Sequence, residues 1–236
     1  MLDVIQSLWV GPRLSAMERL CISSFLSLGH PFHLYAYDDV DEIPSGTTVL
    51  DANSVLPASR IFTYRRHNTY AGFANFFRYK LLLEKGGWFV DADLICLKPF
   101  DFDVPYVFSS EGLDGRQTIN VGAIKVPPGS QVMEYAWSEC EKLDTNQLEW
   151  SQCGPQLAER AIEACCLNDY VQRPEVFCPV YFTDWQKILD PAAGLVFDGR
   201  THAVHLWNEL WRRAGQDKDC AYPSECLYEQ LKQRYL

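Results

Sequence analysis

GGWFVDADLICLKPF, residues 86–100, poses the question from which this chain is read. Two glycines and three large apolar residues precede Asp91 and Asp93, and a mostly apolar run resumes after them. A strand apolar enough to be buried does not tolerate two unpaired charges in its middle, because burying them is costly. Residues two apart in an extended strand point to one side, so the spacing predicts both carboxylates aimed at one spot, with Ala92 facing away. Like charges that close repel unless one is protonated or a cation sits between them. Oxygen-only ligands suit a hard divalent ion such as Mg²⁺ or Mn²⁺, and such ions usually bind together with phosphates. The expectation is a metal carrying a phosphorylated ligand. The plainer alternative is two solvated aspartates at a strand end, since a bare D-x-D is common.

Working outward, AGFANFFRYKLLLEK (71–85) reads as a helix that Gly86-Gly87 stops, since glycine takes left-handed backbone without strain. The following strand runs into Asp91, and in open α/β sheets ligands sit beyond the carboxyl ends of strands. VIQSLWVG (4–11) reads as the opening strand. Ser15 and Glu18 have capping-box spacing and open a helix that ends near Leu28, before Gly29. FHLYAYD (32–38) is a second strand, ending on Asp38-Asp39. Strand, helix, strand in this order indicates a parallel βαβ unit. Beyond residue 100 the pattern loosens. Strands are expected at 104–110 and 119–126 and helices at 130–142 and 154–166, with apolar segments at 176–182 and 203–207 and a terminal helix over 222–236. No internal repeat or linker interrupts the chain, so residues 1–236 are expected to form one α/β domain. Its sheet is mostly parallel and Rossmann-like, with flanking helices and an irregular C-terminal half.

Composition narrows the partners. The chain has 236 residues, 47% hydrophobic and 22% charged, an ordinary globular balance. Its formal charge of −10 argues against nucleic acid, which needs clustered Lys and Arg. Nine cysteines are an odd number, contain no CxxC pair and follow no signal-peptide pattern, which points to reduced thiols in a cytoplasmic protein. No apolar run reaches membrane-spanning length, so no span is expected; association with the membrane surface is left open.

Two further groups of polar residues stand in apolar surroundings. Asn75 and Arg78 share a helix face with Phe73, Phe76, Phe77 and Leu81 around them. Near the strand's carboxyl end Arg78 would neutralise a diphosphate or pair with an aspartate. In AVHLWNELW (203–211), His205 and Trp207 face the same way in a strand, and Asn208 follows. By default such a His is a hydrogen-bonded core residue.

The run Ala74-Asn75-Phe76-Phe77-Arg78-Tyr79, then Leu81-Leu82, then Gly86 to Asp93, resembles the DXD sugar-transferase region. That region is shared by the fungal initiating α-1,6-mannosyltransferases, the globotriaosylceramide synthases and, more distantly, the glucosylating clostridial toxins. Residues 5–11 are similar to the opening strand of these enzymes, with its Trp and Gly. His205-x-Trp207-Asn208 is similar to their closing segment, and Asn120 and Gly154-Pro155 resemble landmarks between. The resemblance implies a GT-A fold, with residues 1–100 as the nucleotide-binding half and 101–236 as the donor and acceptor half. It implies a retaining glycosyltransferase that uses a nucleotide-diphosphate sugar, with a lean to UDP, Mn²⁺ or Mg²⁺, and a saccharide or glycolipid acceptor, as in polysaccharide biosynthesis. Trp9 would stack on the base, Asp91 would meet ribose and metal, and Asp93 and His205 would ligate the metal. Arg78 would reach the diphosphate or donor sugar, and Trp207 and Asn208 would lie against the donor phosphates. The chain departs from the family at Asn75, where an Asp commonly holds donor hydroxyls; an amide still hydrogen-bonds but carries no charge. The membrane anchor of the Golgi relatives is not expected here.

Retention needs a covalent intermediate or attack on the leaving group's own face, and Gln152, just before Gly154-Pro155, is the nearest candidate nucleophile. Two other readings remain. Asn75 favours a nucleotide-sugar-binding protein without transfer activity. A metal-dependent phosphohydrolase of the D-x-D-G-T kind is disfavoured, because Leu94-Ile95 follow the aspartates.

Overall fold

The first half of the chain builds the parallel part of the sheet, and the order of its elements follows the sequence pattern. A computed structural model describes residues 2–113 and 115–236. Strand β1 (Ile5–Trp9) leads into α1 (Ala16–Ser27), where the Ser15 N–H donates to Glu18 Oε2 at 2.8 Å and the Met17 N–H donates to Ser15 Oγ at 3.3 Å. This is the capping box read from the spacing. The helix returns the chain to β2 (Phe32–Ala36), parallel to β1, and then to β3 (Thr47–Asp51), an outer strand whose residues are mostly exposed. Nothing in the polar sequence TTVLD had suggested that strand.

Helix α2 (Ala71–Lys85) spans the residues expected. Gly86 ends it at φ 63°, ψ −159°, a region open essentially to glycine alone, and a Cβ there would lie 2.4 Å from Pro128 N. Strand β4 (Gly87–Val90) then enters the sheet beside β1. It stops one residue before Asp91, and here the structure corrects the expected geometry. Asp91 and Asp93 lie in a turn closed by the Leu94 N–H donating to the Asp91 carbonyl at 3.1 Å, not in an extended strand. The chain thereby leaves the main sheet, and β5 (Leu94–Cys96) belongs to a second, small one.

Strands β6 (Val107–Leu113) and β7 (Arg116–Val126) form an antiparallel hairpin, and β7 is longer than its apolar pattern suggested. The main sheet has six strands in the order β3-β2-β1-β4-β7-β6, parallel from β3 to β4 and antiparallel beyond. This is the mostly parallel α/β plan expected. Helices α3 (Gln131–Glu141) and α4 (Pro155–Ala164) follow, then the single turn α5 (Pro174–Phe177). Strand β8 (Ala203–His205) pairs antiparallel with β5, and α6 (Asn208–Ala214) begins at once. The terminal helix α7 (Leu227–Tyr235) is shorter than expected, since residues 222–226 form a loop.

One apolar cluster contains Met17, Leu20, Trp88, Phe100, Phe177 and Trp211. A second contains Phe73, Phe77, Leu81, Phe89, Ile124 and Trp137. Strand β4 contributes alternately to both, Trp88 to the first and Phe89 to the second, as a strand buried on both faces must. No described helix is long and apolar enough to cross a membrane.

Candidate functional site

Two turns meet where β4 ends. The first is the Asp91–Leu94 turn; the second follows β8. Their pairing sets Leu94 opposite His205, so the antiparallel register delivers the imidazole to the aspartates. His205 Nε2 lies 3.0 Å from Asp93 Oδ1. Ligand atoms of Asp91, Asp93 and His205 all fall within 4.8 Å of one another. Two carboxylate oxygens and an imidazole nitrogen at that spacing are a donor set that fits Mn²⁺, and less well Mg²⁺.

Neighbouring backbone fixes these groups. The Asp91 N–H donates to the Gly122 carbonyl at 2.8 Å, which ties the turn to β7. The Leu206 N–H donates to the Asp93 carbonyl at 2.9 Å, and the Asn208 N–H to Asp93 Oδ2 at 2.7 Å. That last contact depends on Trp207, which adopts left-handed backbone at φ 61° and reverses the chain into α6. Such a conformation is strained for a bulky residue and persists only where packing over-determines it. The Trp207 ring packs on His205 with centroids 4.1 Å apart, and its indole N–H donates to the Val180 carbonyl at 2.8 Å. Trp207 is thus the wall behind the imidazole, while Asn208 reaches Asp93 through its backbone.

Arg78 is buried on α2 and closes the other side. It donates to Asp91 Oδ1 and, at 2.9 Å, to Asn75 Oδ1, and its guanidinium lies 4.9 Å from the Phe89 ring centroid. Asn75 turns its amide nitrogen towards the buried Cys153 Sγ at 3.9 Å. Cys153 also contacts the Tyr64 hydroxyl at 3.2 Å. Gln152 itself sits in the preceding turn, where its Oε1 accepts from the Glu149 N–H at 3.2 Å; its neighbour Cys153 is the residue that enters the cluster around Asn75. Trp9 stands half-buried at the carboxyl end of β1, its indole nitrogen without a partner among the described residues.

The ionisable groups at the site shift one another's titration. Burial would push the Asp93 carboxyl up, but His205, the Asn208 N–H and the charge of Lys218 hold it below the usual carboxylate range. Burial would lower the His205 pKa, but the Asp93 carboxylate and the adjacent Cys178 thiol raise it well above 6.5. Burial pushes Asp91 up against the pull of Arg78, and the charge of Asp93 adds to the rise.

Further residues contribute in ways to which the sequence assigned no role. Gly122 leaves room where it is needed: a Cβ there would lie 2.8 Å from Asn120 Oδ1 and 3.5 Å from both Asp91 Oδ2 and His205 Cε1. Asn120 accepts from the Gly122 N–H at 2.7 Å and donates to Glu111 at 3.1 Å, which sets a third carboxylate near the site. Gly154 would collide with Asn75 Nδ2 at 2.8 Å if it carried a Cβ. Gly122 and Gly154 lie in or beside motifs the sequence displayed, but only contacts in space assign them these duties.

Residues 21–110 match the family described as glycosyltransferase sugar-binding region containing DXD motif. Residues 142–235 match the α-1,4-glycosyltransferase conserved region. No curated protein matches the chain. Among solved structures the chain is similar to PaToxG glycosyltransferase, at 14% identity over 99% of this chain and 84% of that one, with a TM-score of 0.49. It is also similar to a protein described only as a transferase, at 9% identity over 72% of this chain and 90% of that one, with a TM-score of 0.46. The glycosyltransferase GlyE of Streptococcus pneumoniae TIGR4 is similar at 14% identity over 73% of this chain and 46% of its own, with a TM-score of 0.41.

Proposed function

We propose that this chain, whose residues 21–110 match the DXD-motif glycosyltransferase region and 142–235 the α-1,4-glycosyltransferase region, moves a sugar from a UDP-linked donor to a saccharide or glycolipid acceptor with retention of configuration, using Mn²⁺ or Mg²⁺. The observation that carries this reading is the convergence of Asp91, Asp93 and His205 within 4.8 Å beside the buried Arg78. A divalent ion held there supplies positive charge to the leaving diphosphate. Asp91, Asp93 and His205 would hold it. Arg78, fixed by Asn75 and Asp91, presents its guanidinium from the opposite side. Trp9 at the end of β1 offers its ring to the base. Gln152 is the proposed nucleophile only if its amide leaves the Glu149 turn during the reaction.

The test incubates the chain with UDP-sugars and Mn²⁺, with and without saccharide acceptors, and measures free UDP, transferred sugar and inorganic phosphate. Sugar transfer supports the reading. Phosphate release would identify a phosphohydrolase and overturn it. UDP-sugar binding without turnover would favour the second reading, a binding protein. Asn75 speaks for that one: it replaces the family's Asp, and its amide is already engaged by Arg78 and Cys153.

A further inference from the structure

The hairpin of β6 and β7 runs on past the end of β4, and a carboxylate on it has no part in the chemistry described above. Strand β7 pairs with β4 over residues 123–126, so its residues 116–122 extend beyond Val90, alongside the Asp91 turn. The β6–β7 register shifts between Phe108 and Ser110. There the buried Ser109 hydroxyl donates to the Asn120 carbonyl at 2.8 Å and accepts from the Ala123 N–H at 3.1 Å. Bulges of this kind re-aim side chains beside active sites. Beyond it Ile119 and Val121 turn into the apolar cluster of Phe73 and Trp137, which leaves Thr118 and Asn120 on the other face, with Glu111 paired opposite Thr118. Asn120 Nδ2 donates to Glu111 Oε2 at 3.1 Å. Asn120 Oδ1 lies 2.8 Å from where a Gly122 Cβ would stand, a point itself 3.5 Å from Asp91 Oδ2 and His205 Cε1. Glu111 is half-buried, and among the described residues no hydrogen bond or ion pair takes its other oxygen, Oε1.

We propose that Glu111 binds hydroxyl groups of the donor sugar, at the end of the site opposite Trp9. The proposal rests on the nucleotide-sugar reading, with the base on Trp9 and the diphosphate on the metal. The strand order β1-β4-β7-β6 then gives the direction of the ligand. Trp9 ends β1, Asp91 follows the neighbouring β4, and the hairpin stands beyond them. A sugar carried on the diphosphate and pointing away from the base therefore meets the face of Asn120 and Glu111. At about 4.8 Å per strand, β6 is roughly 10 Å from β4, and the bond to Asn120 keeps the carboxylate over β7, nearer still. The chemistry suits a hydroxyl-rich ligand, because an ionised carboxylate only accepts hydrogen bonds and neighbouring sugar hydroxyls donate them. Asn75, the polar residue on the α2 side, has its carbonyl taken by Arg78 and its amide turned to Cys153. With Asp91 and Asp93 given to the metal, Glu111 is the carboxylate left for the sugar.

A purely structural glutamate would serve only to hold Asn120, and the experiment separates the two roles. The full chain is titrated, in saturating Mn²⁺ and without acceptor, with UDP, UDP-glucose, UDP-galactose and UDP-N-acetylglucosamine. Glu111→Gln keeps an oxygen for the Asn120 amide but loses the charge, and Glu111→Ala loses both. Both variants should bind UDP as the unaltered chain does. For the UDP-sugar that the unaltered chain binds most tightly, affinity should fall about tenfold in Glu111→Gln and up to about a hundredfold in Glu111→Ala, the worth of hydrogen bonds to a charged group. Unchanged UDP-sugar affinity in either variant overturns the proposal. A parallel loss of UDP and UDP-sugar overturns it too, since Glu111 would then act through Asn120 on the metal residues. So does a defect confined to transfer onto an added saccharide, which would put Glu111 at the acceptor. Failure of the unaltered chain to bind UDP at all would instead overturn the nucleotide reading beneath it.

Discussion

Asp93 is held through both its side chain and its backbone. It receives His205 and the Asn208 N–H, and its backbone carbonyl receives Leu206. Asp93→Ala is expected to abolish Mn²⁺-dependent UDP release, with the fold retained by circular dichroism; wild-type turnover in the same Mn²⁺ would refute the metal assignment. His205 adds a pH dependence whose sign follows from its partner. Its folded pKa is raised, so its pairing stabilises the metal-free protein fully below the ordinary value of 6.5 and is lost as pH rises through the folded value. For Asp93 the folded pKa is lowered, so its share is present above the ordinary 3.8 and lost as pH falls through the folded value. A metal ligand must be the neutral imidazole, so bound Mn²⁺ displaces this proton. Mn²⁺ affinity should therefore climb with pH through and beyond 6.5, and His205→Ala should flatten that climb while raising the Mn²⁺ needed for half-maximal activity. A calorimetric titration at several pH values reads both effects. Trp9→Ala should weaken UDP binding by roughly ten- to a hundredfold, the worth of one stacked base. Unchanged affinity would return Trp9 to a packing role.

Among elements, the junction between α2 and β4 is the one most tightly specified. Gly86 combines a backbone conformation closed to other residues with a contact that would set a Cβ 2.4 Å from Pro128 N. Gly86→Ala should destabilise the protein by at least about 1–3 kcal/mol, the usual cost of such strain, before the collision with Pro128 is counted. Chemical denaturation measures it, and a loss well below that range would show that the junction yields. The same junction sets the direction of β4 and hence where the Asp91 turn emerges. Gly122 on β7 makes a different kind of demand: its backbone is ordinary, and only the space beside it is used up. Gly122→Ala should therefore impair Mn²⁺ binding far more than it lowers melting temperature, because the added methyl meets Asn120, Asp91 and His205. Equal Mn²⁺ affinity in the variant would count against the site.

Across the whole molecule, the site joins segments that are otherwise independent: the Asp91 turn, α2, β7, and the stretch from β8 into α6. A ligand that binds only when these are assembled raises the stability of the assembled state. At about a hundred times its Kd, UDP with Mn²⁺ should add about 2.7 kcal/mol, which for a chain this size is about 5–10 °C in melting temperature. UDP with a chelator in place of Mn²⁺ should give little of that shift, and an equal shift in both conditions would argue against a metal bridging nucleotide and protein.

The sequence by itself determined the local elements wherever backbone rules and apolar patterning coincide. Ser15 and Glu18 capped α1 as their spacing required, α2 ran from Ala71 to Lys85 and ended at the glycine pair, and the D-x-D spacing marked two carboxylates close together in the chain. It did not determine how those carboxylates come together. They converge through a turn, and the residue that completes the set stands 112 positions beyond Asp93. A lone imidazole in an apolar run carries no local mark of its partner. The pairing of Leu94 with His205 decides it, and strand register is set by which side chains must be buried together rather than by either strand alone. The same holds for Gly122 and Cys153, whose contacts arise from what packs against them. Only the tertiary structure decides these, because proximity between segments distant in sequence is a property of packing, and packing is the part of the free energy that no local pattern encodes.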